Sequence, residues 1–281
     1  MALLLGKPVA ETILADVKYR IDQAKITPGL AVVLAGDYIE SHKYVDLKEA
    51  RAKEVGIRFE KHLFPTTVSP QVVFENLKTL NARPDAHGII VQLPLPTGLP
   101  TDDIICAIDP KKDADGFHPE TVRQFLAGDE SLCPVFPRAV IELRRAPGET
   151  DRDERAVAIV NSELLGKVFE QALTQEGLQS EYVLSSVGKQ VIAQKTIGAR
   201  VVVSACGIPD LVTADMLSSH AIVIDGGNVH VDGKVRGDVD REGVEKKVAW
   251  LSPVPGGVGP VTIACLLRRV MQFALESNAL Q

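Results

Sequence analysis

Apolar and polar residues follow two different periods along the first third of the chain. Residues 10–24 place Ile13, Val17 and Ile21 four positions apart, which predicts an amphipathic helix. Residues 29–36, GLAVVLAG, form an apolar run that predicts a buried strand. The alternation continues with predicted helices at 41–55 and 71–80 and predicted strands at 57–64 and 87–96. Because such apolar runs suit parallel strands that helices cover on both faces, the pattern indicates βαβ units.

The same pattern resumes in the second half of the chain. Predicted strands lie at 156–160, 181–184, 200–204 and 221–225. Predicted helices lie at 137–145, 164–176, 188–197, 212–218 and 261–276. The polar stretch 146–155 has no apolar period and predicts an exposed loop. Residues 229–237, VHVDGKVRG, carry an Asp-Gly pair between alternating residues and predict a hairpin.

We therefore expect an α/β protein of two three-layer parallel-sheet domains, the second Rossmann-like, with a cleft between them. The closing helix follows a glycine- and proline-rich hinge and could pack back on the first domain. The expected domains are residues 1–133 with 260–281, and residues 134–259.

Composition narrows the possible partners. The chain has 281 residues, 24% charged and 45% apolar, which is typical of a folded globular protein. A net charge of -6 predicts no nucleic-acid or membrane partner. No apolar segment reaches the length of a membrane span, and MALLLGKPVAETI lacks the basic start of a signal peptide. Four dispersed cysteines without a CxxC pair predict reduced core cysteines in a cytoplasmic protein, and no metal site.

One predicted helix carries candidate catalytic side chains. In residues 41–50, SHKYVDLKEA, helical spacing places Ser41, Tyr44 and Lys48 on one face. On spacing alone, Lys48 could equally be a solvated lysine beside a packed ring.

Two further segments place polar groups where a ligand could bind. Gln92 stands at the carboxyl end of a predicted parallel strand, the edge where open α/β sheets bind ligands. Asp115, in DPKKDADGFHP, could accept hydrogen bonds from a heterocycle. The alternatives are a structural turn for the segment around Gln92 and a charged surface loop for the segment around Asp115. His118 could act as an acid or base, but a local capping or packing role is the simpler interpretation.

The stretch SPVPGGVGPVT (252–262) is the least ordinary segment of the chain. Its glycines allow backbone atoms to approach a planar ligand closely, and prolines fix both ends. A purely connecting loop would not require this composition.

Four segments in order, YVDLK, VQLPLP, KKDADGFHP and PVPGGVGPVT, resemble the bifunctional methylenetetrahydrofolate dehydrogenase/methenyltetrahydrofolate cyclohydrolase family. The resemblance implies oxidation of 5,10-methylenetetrahydrofolate with NADP and hydrolysis of the methenyl product to 10-formyltetrahydrofolate. It also implies a folate-binding catalytic first domain, a nucleotide-binding second domain and a homodimer. The implied roles are Lys48 as the base, Gln92 as its holder, Tyr44 stacking on the folate and Asp115 pairing with the pterin. Further substrate contacts are implied for Ser41, Pro255, Gly256 and Gly257.

The cofactor half departs from the family pattern. The family pattern after this strand resembles G-R-S-x-x-V-G. This chain has Val160, Asn161 and Ser162 at the first three positions and Gly166 at the last. Asn161 lacks the guanidinium that would bind a 2′-phosphate. The family's His-Ser-x-Thr stretch appears as SSVGKQ, which retains Ser185 and gains Lys189. The resemblance implies cofactor contacts at Asn161, Ser162, Gly166, Ser185 and Lys189.

Three hypotheses follow for function. The first is a one-carbon tetrahydrofolate enzyme that hydrolyses the methenyl form and oxidises the methylene form with NADP. Because the cofactor turn is altered, NAD or no dinucleotide are alternatives for its cofactor. The second is a redox-inactive paralogue that binds or transfers one-carbon units, and the third is a non-catalytic folate-binding protein.

Overall fold

A computed structural model of the chain describes residues 2–148, 153–231 and 233–279. Helices and strands alternate along both halves of the chain. The first half contains β1 (Ala2–Leu3), α1 (Gly6–Ala24), β2 (Gly29–Ala35), α2 (Ile39–Glu54), β3 (Arg58–Phe64), α3 (Pro70–Ala82), β4 (Gly88–Val91), α4 (Thr101–Cys106), α5 (Pro119–Leu126) and α6 (Val135–Arg145). The second half contains β5 (Arg155–Val160), α7 (Glu163–Gln175), β6 (Gln179–Leu184), α8 (Lys189–Thr196), β7 (Val201–Ala205), β8 (Ile222–Asp225), β9 (Val229–Val231), β10 (Lys234–Arg236), α9 (Arg241–Val244), β11 (Trp250–Leu251) and α10 (Val258–Ala279).

The chain forms two compact units, each built around one parallel sheet. The three-stranded unit comprises Glu11–Gln124 and Ile263–Gln281, and the six-stranded unit comprises Met1–Ala10 and Phe125–Thr262. The sequence-based division differs from these units most at the start of the chain. Residues 1–10 were expected in the first domain, but β1 pairs in parallel with β11 and so joins the six-stranded sheet.

The three-stranded sheet has the order β3-β2-β4, and its strands are parallel. Alternate residues Ala31 and Val33 of β2 belong to a buried cluster with Val73 and Leu77 of α3. The intervening residues of β2 are also buried. Both faces of this sheet are therefore covered, as the apolar run of β2 predicts.

The six-stranded sheet has the order β1-β11-β8-β7-β5-β6, and every pair in it is parallel. Val157 and Ile159 of β5 pack in one buried cluster with Ile192 of α8. On α7, Phe169 is fully buried and meets Phe136 of α6 edge to face, with ring centroids 5.6 Å apart. The predicted three-layer α/β architecture with a Rossmann-like second sheet is thus confirmed.

Two predicted elements are much longer than the observed ones. The helix expected at 212–218 is only a 3₁₀ turn, Ala214–Met216, because the backbone of Val212 pairs with Asp238 and Asp240 in a β-bridge. The strand expected at 87–96 ends at Val91, since the prolines that follow cannot donate backbone hydrogen bonds. The hairpin of β9 and β10 is antiparallel as expected. Asp232 of that hairpin and residues 149–152 of the predicted 146–155 loop lie outside the described residues.

Two expectations from composition are also corrected. Cys106 is exposed, whereas the other three cysteines are buried as expected. The helix α10 is long and apolar enough by length and composition to cross a membrane, contrary to the sequence-based expectation. However, 61% of its most apolar window is buried within the protein, and core helices of soluble proteins pass the same test.

Candidate active site

The helix α2 presents a lysine on its buried face. Ser41, Val45, Lys48 and Ala52 are its buried residues, and their spacing of four, three and four aligns them along one side. Lys48 is only 5% exposed. Because lysine is almost never buried without a partner, its position on a stripe of otherwise small, uncharged residues marks a specialised site.

The buried amine of Lys48 has two close partners. Its Nζ donates a hydrogen bond of 3.0 Å to Oε1 of Gln92, the residue directly after β4. The same Nζ lies 4.8 Å from the centroid of the Tyr44 ring, one turn earlier on α2. Gln92 is itself fixed, since its Nε2 donates to the carbonyl of Leu93 and its backbone N–H donates to the carbonyl of Val33.

Asp115 is presented by a loop that a second aspartate folds. The carboxylate of Asp113, 2% exposed, accepts from the backbone N–H groups of Gly116 at 2.9 Å and His118 at 2.8 Å. The loop is attached to the sheet because Ala114 donates to the carbonyl of Ile89 on β4. Sequence reasoning named Asp115 but missed Asp113, whose position three residues before a glycine is typical of a side-chain-capped turn.

The charges of the site act on one another. Burial lowers the pKa of Lys48, and the nearby charge of Asp115 opposes that change. Burial raises the pKa of Asp115; the charges of Lys48 and Arg269 oppose the rise, whereas the charge of Asp113 adds to it. Burial and then the charge of Asp115 raise the pKa of Tyr44, so its hydroxyl stays protonated. The site therefore holds an amine that loses its proton more readily than an ordinary lysine.

Arg269 is a residue of this site that sequence reasoning missed. It lies on α10, is 7% exposed, and its charge acts on the Asp115 carboxyl. An arginine in the apolar period of a closing helix was the available signal.

His118 has the local role expected as the simpler interpretation. Its Nδ1 accepts from the backbone N–H of Glu120 at 3.0 Å, in the first turn of α5. With Nδ1 as the acceptor, the ring proton lies on Nε2, which is 3.3 Å from the carbonyl of Cys106. Both ring nitrogens are thus engaged with backbone.

In the six-stranded unit, the turn after β5 leads directly into α7. Asn161 and Ser162 are exposed, and the Oγ of Ser162 caps the helix by accepting from Leu165 N–H at 3.3 Å. A Cβ on Gly166 would overlap the ring of Tyr182 on β6, so this glycine allows α7 to lie close against the sheet. That is the packing role of the third glycine in dinucleotide-binding turns.

The other predicted cofactor residues lie beyond the end of β6. Ser185 begins a 3₁₀ turn, Ser185–Val187, and its side chain hydrogen-bonds Cys206. Lys189 is the first residue of α8, and its Nζ donates to the carbonyl of Asp210 at 2.8 Å. The structure therefore places Asn161, Ser162 and Ser185 at the carboxyl edge of adjacent strands, while the amine of Lys189 is turned toward the loop after β7.

The glycine-proline loop follows β11 in the same unit. Gly256 adopts a φ of +104°, which favours glycine, and its carbonyl accepts from Gly6 N–H at 2.8 Å. A Cβ on Gly257 would lie 2.7 Å from the carbonyl oxygen of Pro253. The positive φ accounts for Gly256 and close backbone packing accounts for Gly257. The substrate contacts of Pro255, Gly256 and Gly257 stay a prediction.

Two buried carboxylates hold the segment around the β9–β10 hairpin. Asp225 accepts from the backbone N–H groups of Gly227, Asp238 and Val239. Asp238 accepts from Ser204 Oγ and from the N–H groups of Cys206 and Ile208. These contacts fasten the hairpin to the carboxyl ends of β7 and β8.

Comparisons with known proteins agree across both halves of the chain. Residues 4–115 match the family described as Tetrahydrofolate dehydrogenase/cyclohydrolase, catalytic domain, and residues 134–278 match its NAD(P)-binding domain. A relative named Bifunctional protein FolD, from Nautilia profundicola, is 38% identical over 279 residues, which is 98% of this chain and 97% of the relative.

Solved structures give the same result. The bifunctional FolD enzyme of Campylobacter jejuni superposes with a TM-score of 0.92 at 33% identity, covering 98% of this chain and 99% of that one. The FolD of Trypanosoma brucei, solved with NADP cofactor and inhibitor, has a TM-score of 0.93 at 29% identity, covering 99% and 98%. With matches over both halves and this degree of identity, the chain belongs to the tetrahydrofolate dehydrogenase/cyclohydrolase family.

Proposed function

We propose that the three-stranded unit hydrolyses 5,10-methenyltetrahydrofolate to 10-formyltetrahydrofolate at Lys48. We also propose that the protein oxidises 5,10-methylenetetrahydrofolate with a nicotinamide dinucleotide bound to the six-stranded unit. The observation that carries the proposal is the buried amine of Lys48, 3.0 Å from Gln92 Oε1 and beside the Tyr44 ring. Family membership over both halves supports the two activities together and does not favour the redox-inactive or non-catalytic alternatives.

The hydrolytic step requires a base near neutral pH. Water adds to the cationic amidine carbon, and its proton passes to the neutral amine of Lys48 as the new C–O bond forms. The hydroxyl of the adduct then loses its remaining proton as the carbon–oxygen double bond forms and the bond from that carbon to N5 breaks. N5 takes up one proton in its place, so the formyl group remains on N10 and the net release is the one proton passed to Lys48. Burial lowers the pKa of Lys48, which increases the fraction of neutral amine available for the first transfer.

The neighbouring residues have positioning and binding roles in this proposal. Gln92 holds the amine through its Oε1, and the Tyr44 ring supplies an apolar face for the folate. Asp115 accepts hydrogen bonds from the pterin, and Ser41 contributes a buried hydroxyl on the same face of α2.

The six-stranded unit fits a dinucleotide at its carboxyl edge. The helix α7 begins just beyond the carboxyl end of β5, and the backbone N–H groups of such a helix start suit a pyrophosphate. Asn161, Ser162 and Ser185 would flank the cofactor there, and Gly166 keeps α7 close to the sheet. A bound nicotinamide supplies hydride acceptance. NADP is the cofactor that the family resemblance implies, and NAD is the alternative that the altered turn leaves open.

We also propose that the protein is a cytoplasmic homodimer with no nucleic-acid or membrane partner. The net charge of -6 supports the absence of a polyanionic partner. Analytical ultracentrifugation of the purified full chain tests the dimer, and a monomer at micromolar concentration would contradict it.

Replacement of the amine tests the hydrolytic role. We expect Lys48→Met to lower the rate of methenyltetrahydrofolate hydrolysis by about 10²-fold or more, because a general base contributes on that order. A bound folate analogue should still be retained. Lys53→Met is the matched control, since Lys53 lies on the same helix with 67% of its side chain exposed. Hydrolysis that survives Lys48→Met would rule out the proposed role.

A further inference from the structure

The first residue of α7 carries a carboxylate at the edge of the sheet where the dinucleotide is proposed to bind. Glu163 follows the N-cap Ser162 directly. Its Oε2 accepts a hydrogen bond of 2.5 Å from the hydroxyl of Tyr182 on β6. The Tyr182 ring packs against Gly166, one turn further along α7. The ring thus extends along the helix toward its start and fixes where the Glu163 carboxylate lies.

The register of the sheet places this carboxylate beside the end of β6. Val160, the last residue of β5, pairs with Leu184, the last residue of β6. The turn at 161–163 and residues 185–186 therefore leave the sheet side by side. In dinucleotide-binding α/β folds, the end of the second strand meets the adenosine ribose, and an acidic residue there accepts from the 2′-hydroxyl.

In this chain the end of β6 supplies Ser185 and Ser186 but no acidic residue. Serine hydroxyls can bond either a ribose hydroxyl or a phosphate, so they do not discriminate between NAD and NADP. Among the hydrogen bonds of the described residues, one from Tyr182 of β6 holds a carboxylate at this position, and that carboxylate belongs to Glu163.

Lys167 lies one turn further along α7 and is exposed, but among the described residues it forms no ion pair with Glu163. Within residues 153–231, no ion pair joins Glu163 to any lysine or arginine. Asn161 is neutral, and the amine of Lys189 donates to the Asp210 carbonyl. A 2′-phosphate would bring roughly 1.5 to 2 negative charges toward this carboxylate. A ribose 2′-hydroxyl could instead donate a hydrogen bond to it.

We propose that Glu163, positioned by Tyr182, makes the dinucleotide site of this chain prefer NAD to NADP. The inference rests on the proposed dinucleotide-binding function of the six-stranded unit. The selectivity between NAD and NADP then comes from the first residue of α7 and not from the end of β6. Glu163 is the specificity-determining residue, and Tyr182 is a positioning residue that acts through it.

Calorimetric titration of the full chain with NAD and with NADP tests this assignment. The wild-type protein is expected to bind NAD about tenfold or more tightly than NADP, as the loss of one charge-assisted hydrogen bond corresponds to about tenfold in affinity. Glu163→Gln keeps an acceptor for the Tyr182 hydroxyl but removes the charge, so it should reduce the ratio by about tenfold, chiefly by tightening NADP. Tyr182→Phe should reduce the ratio less, because it frees the carboxylate without removing it.

The matched control is Glu154→Gln, an exposed glutamate just before β5 at the opposite edge of the same sheet. It should leave both affinities unchanged. NADP bound more tightly than NAD by the wild type, or a ratio that Glu163→Gln does not move, would overturn the assignment but leave the proposed function intact. If neither dinucleotide binds, both the assignment and the proposed dehydrogenase activity fail, whereas hydrolysis at Lys48 would be unaffected.

Discussion

The amine of Lys48 on α2 donates to Oε1 of Gln92, which directly follows β4, across 44 positions of sequence. An amide oxygen is a neutral acceptor, so it orients the amine with little stabilisation of its charged form compared with a carboxylate. A carboxylate in the same place would stabilise the ammonium ion strongly. The choice of an amide at this position therefore keeps the pKa of Lys48 low, as a base requires.

Replacing the amide by a carboxylate should shift the pH dependence of hydrolysis. Gln92→Glu places a negative charge beside Nζ, which raises the pKa of Lys48. Because the neutral amine is the active form, the rise of the rate with pH should move to higher pH, and the rate at pH 7 should fall by about tenfold for each increase of one in the pKa. Stopped-flow hydrolysis of methenyltetrahydrofolate over a pH series measures this.

The control for this experiment is Gln23→Glu, an exposed glutamine on α1. It makes the same change of charge away from the site, and the pH profile should stay in place. An unshifted profile in Gln92→Glu would show that Lys48 is not the base whose ionisation limits the rate.

The buried carboxylate of Asp113 should control both the stability of the 113–118 loop and the affinity for folate. In Asp113→Asn only one acceptor oxygen remains for the N–H groups of Gly116 and His118. We expect the free energy of unfolding to fall by about 1–3 kcal/mol, the usual cost of an unsatisfied buried donor. The KM for folate should rise more than kcat falls, since Asp115 is displaced while Lys48 is not.

Urea unfolding and steady-state kinetics measure these two effects. Asp109→Asn is the control, because Asp109 also caps a turn, accepting from Lys111 N–H at 3.0 Å, but this hydrogen bond is exposed to solvent. Equal effects of the two variants on KM would contradict the role assigned to Asp113.

Much of the fold could be predicted from the sequence because apolar period and turn chemistry are local. The run GLAVVLAG became β2, buried at every residue, and the Asp-Gly pair predicted the hairpin of β9 and β10. The two-residue strands β1 and β11 could not be predicted in this way. Each is too short to show a period, and only their parallel pairing across the whole chain makes them strands.

The candidate site could likewise be predicted only where its residues follow a local pattern. Helical spacing brought Tyr44 and Lys48 to one face, but only the family resemblance joined that face to Gln92 and Asp115. Asp113 and Arg269 were missed because their importance lies in burial and in contacts between distant segments. Glu163 could not be identified from the sequence, because its proposed role depends on Tyr182, nineteen positions away on β6.

The contact between Gly166 and Tyr182 should make a helix-favouring substitution destabilising. Gly166→Ala gains about 1 kcal/mol of helix propensity but forces a Cβ into the tyrosine ring, which costs about 1–3 kcal/mol in a packed region. We expect a net loss of stability in denaturant unfolding. In a Tyr182→Ala background, the same substitution should stabilise the protein, because the ring is gone.

A double-mutant cycle over these two positions measures the coupling. Gly259→Ala in the first turn of α10 is the control, since its Cβ would meet no atom within 4 Å. A loss at Gly166 that persists unchanged without the Tyr182 ring would show that the ring is not its cause.

The buried carboxyl of Asp225 should make stability depend on pH in the mildly acidic range. Burial raises its pKa from 3.8 to about 6, against the three backbone N–H groups that favour the charged form. The folded protein therefore binds this proton more tightly than the unfolded chain. Its contribution to stability is fully present below pH 3.8 and is lost as the pH rises through about 6.

The difference between the two pKa values corresponds to a contribution of about 3 kcal/mol. Asp225→Asn cannot titrate, so the stability of the wild type relative to this variant should fall by up to about 3 kcal/mol between pH 4 and pH 7. Urea unfolding of both proteins at closely spaced pH values measures this difference in the free energy of unfolding. Carboxyls common to both proteins titrate alike, so their contributions cancel in the difference. A relative stability that rises with pH over this range would mean that the three N–H groups outweigh burial, and that Asp225 fastens the hairpin as a permanent anion.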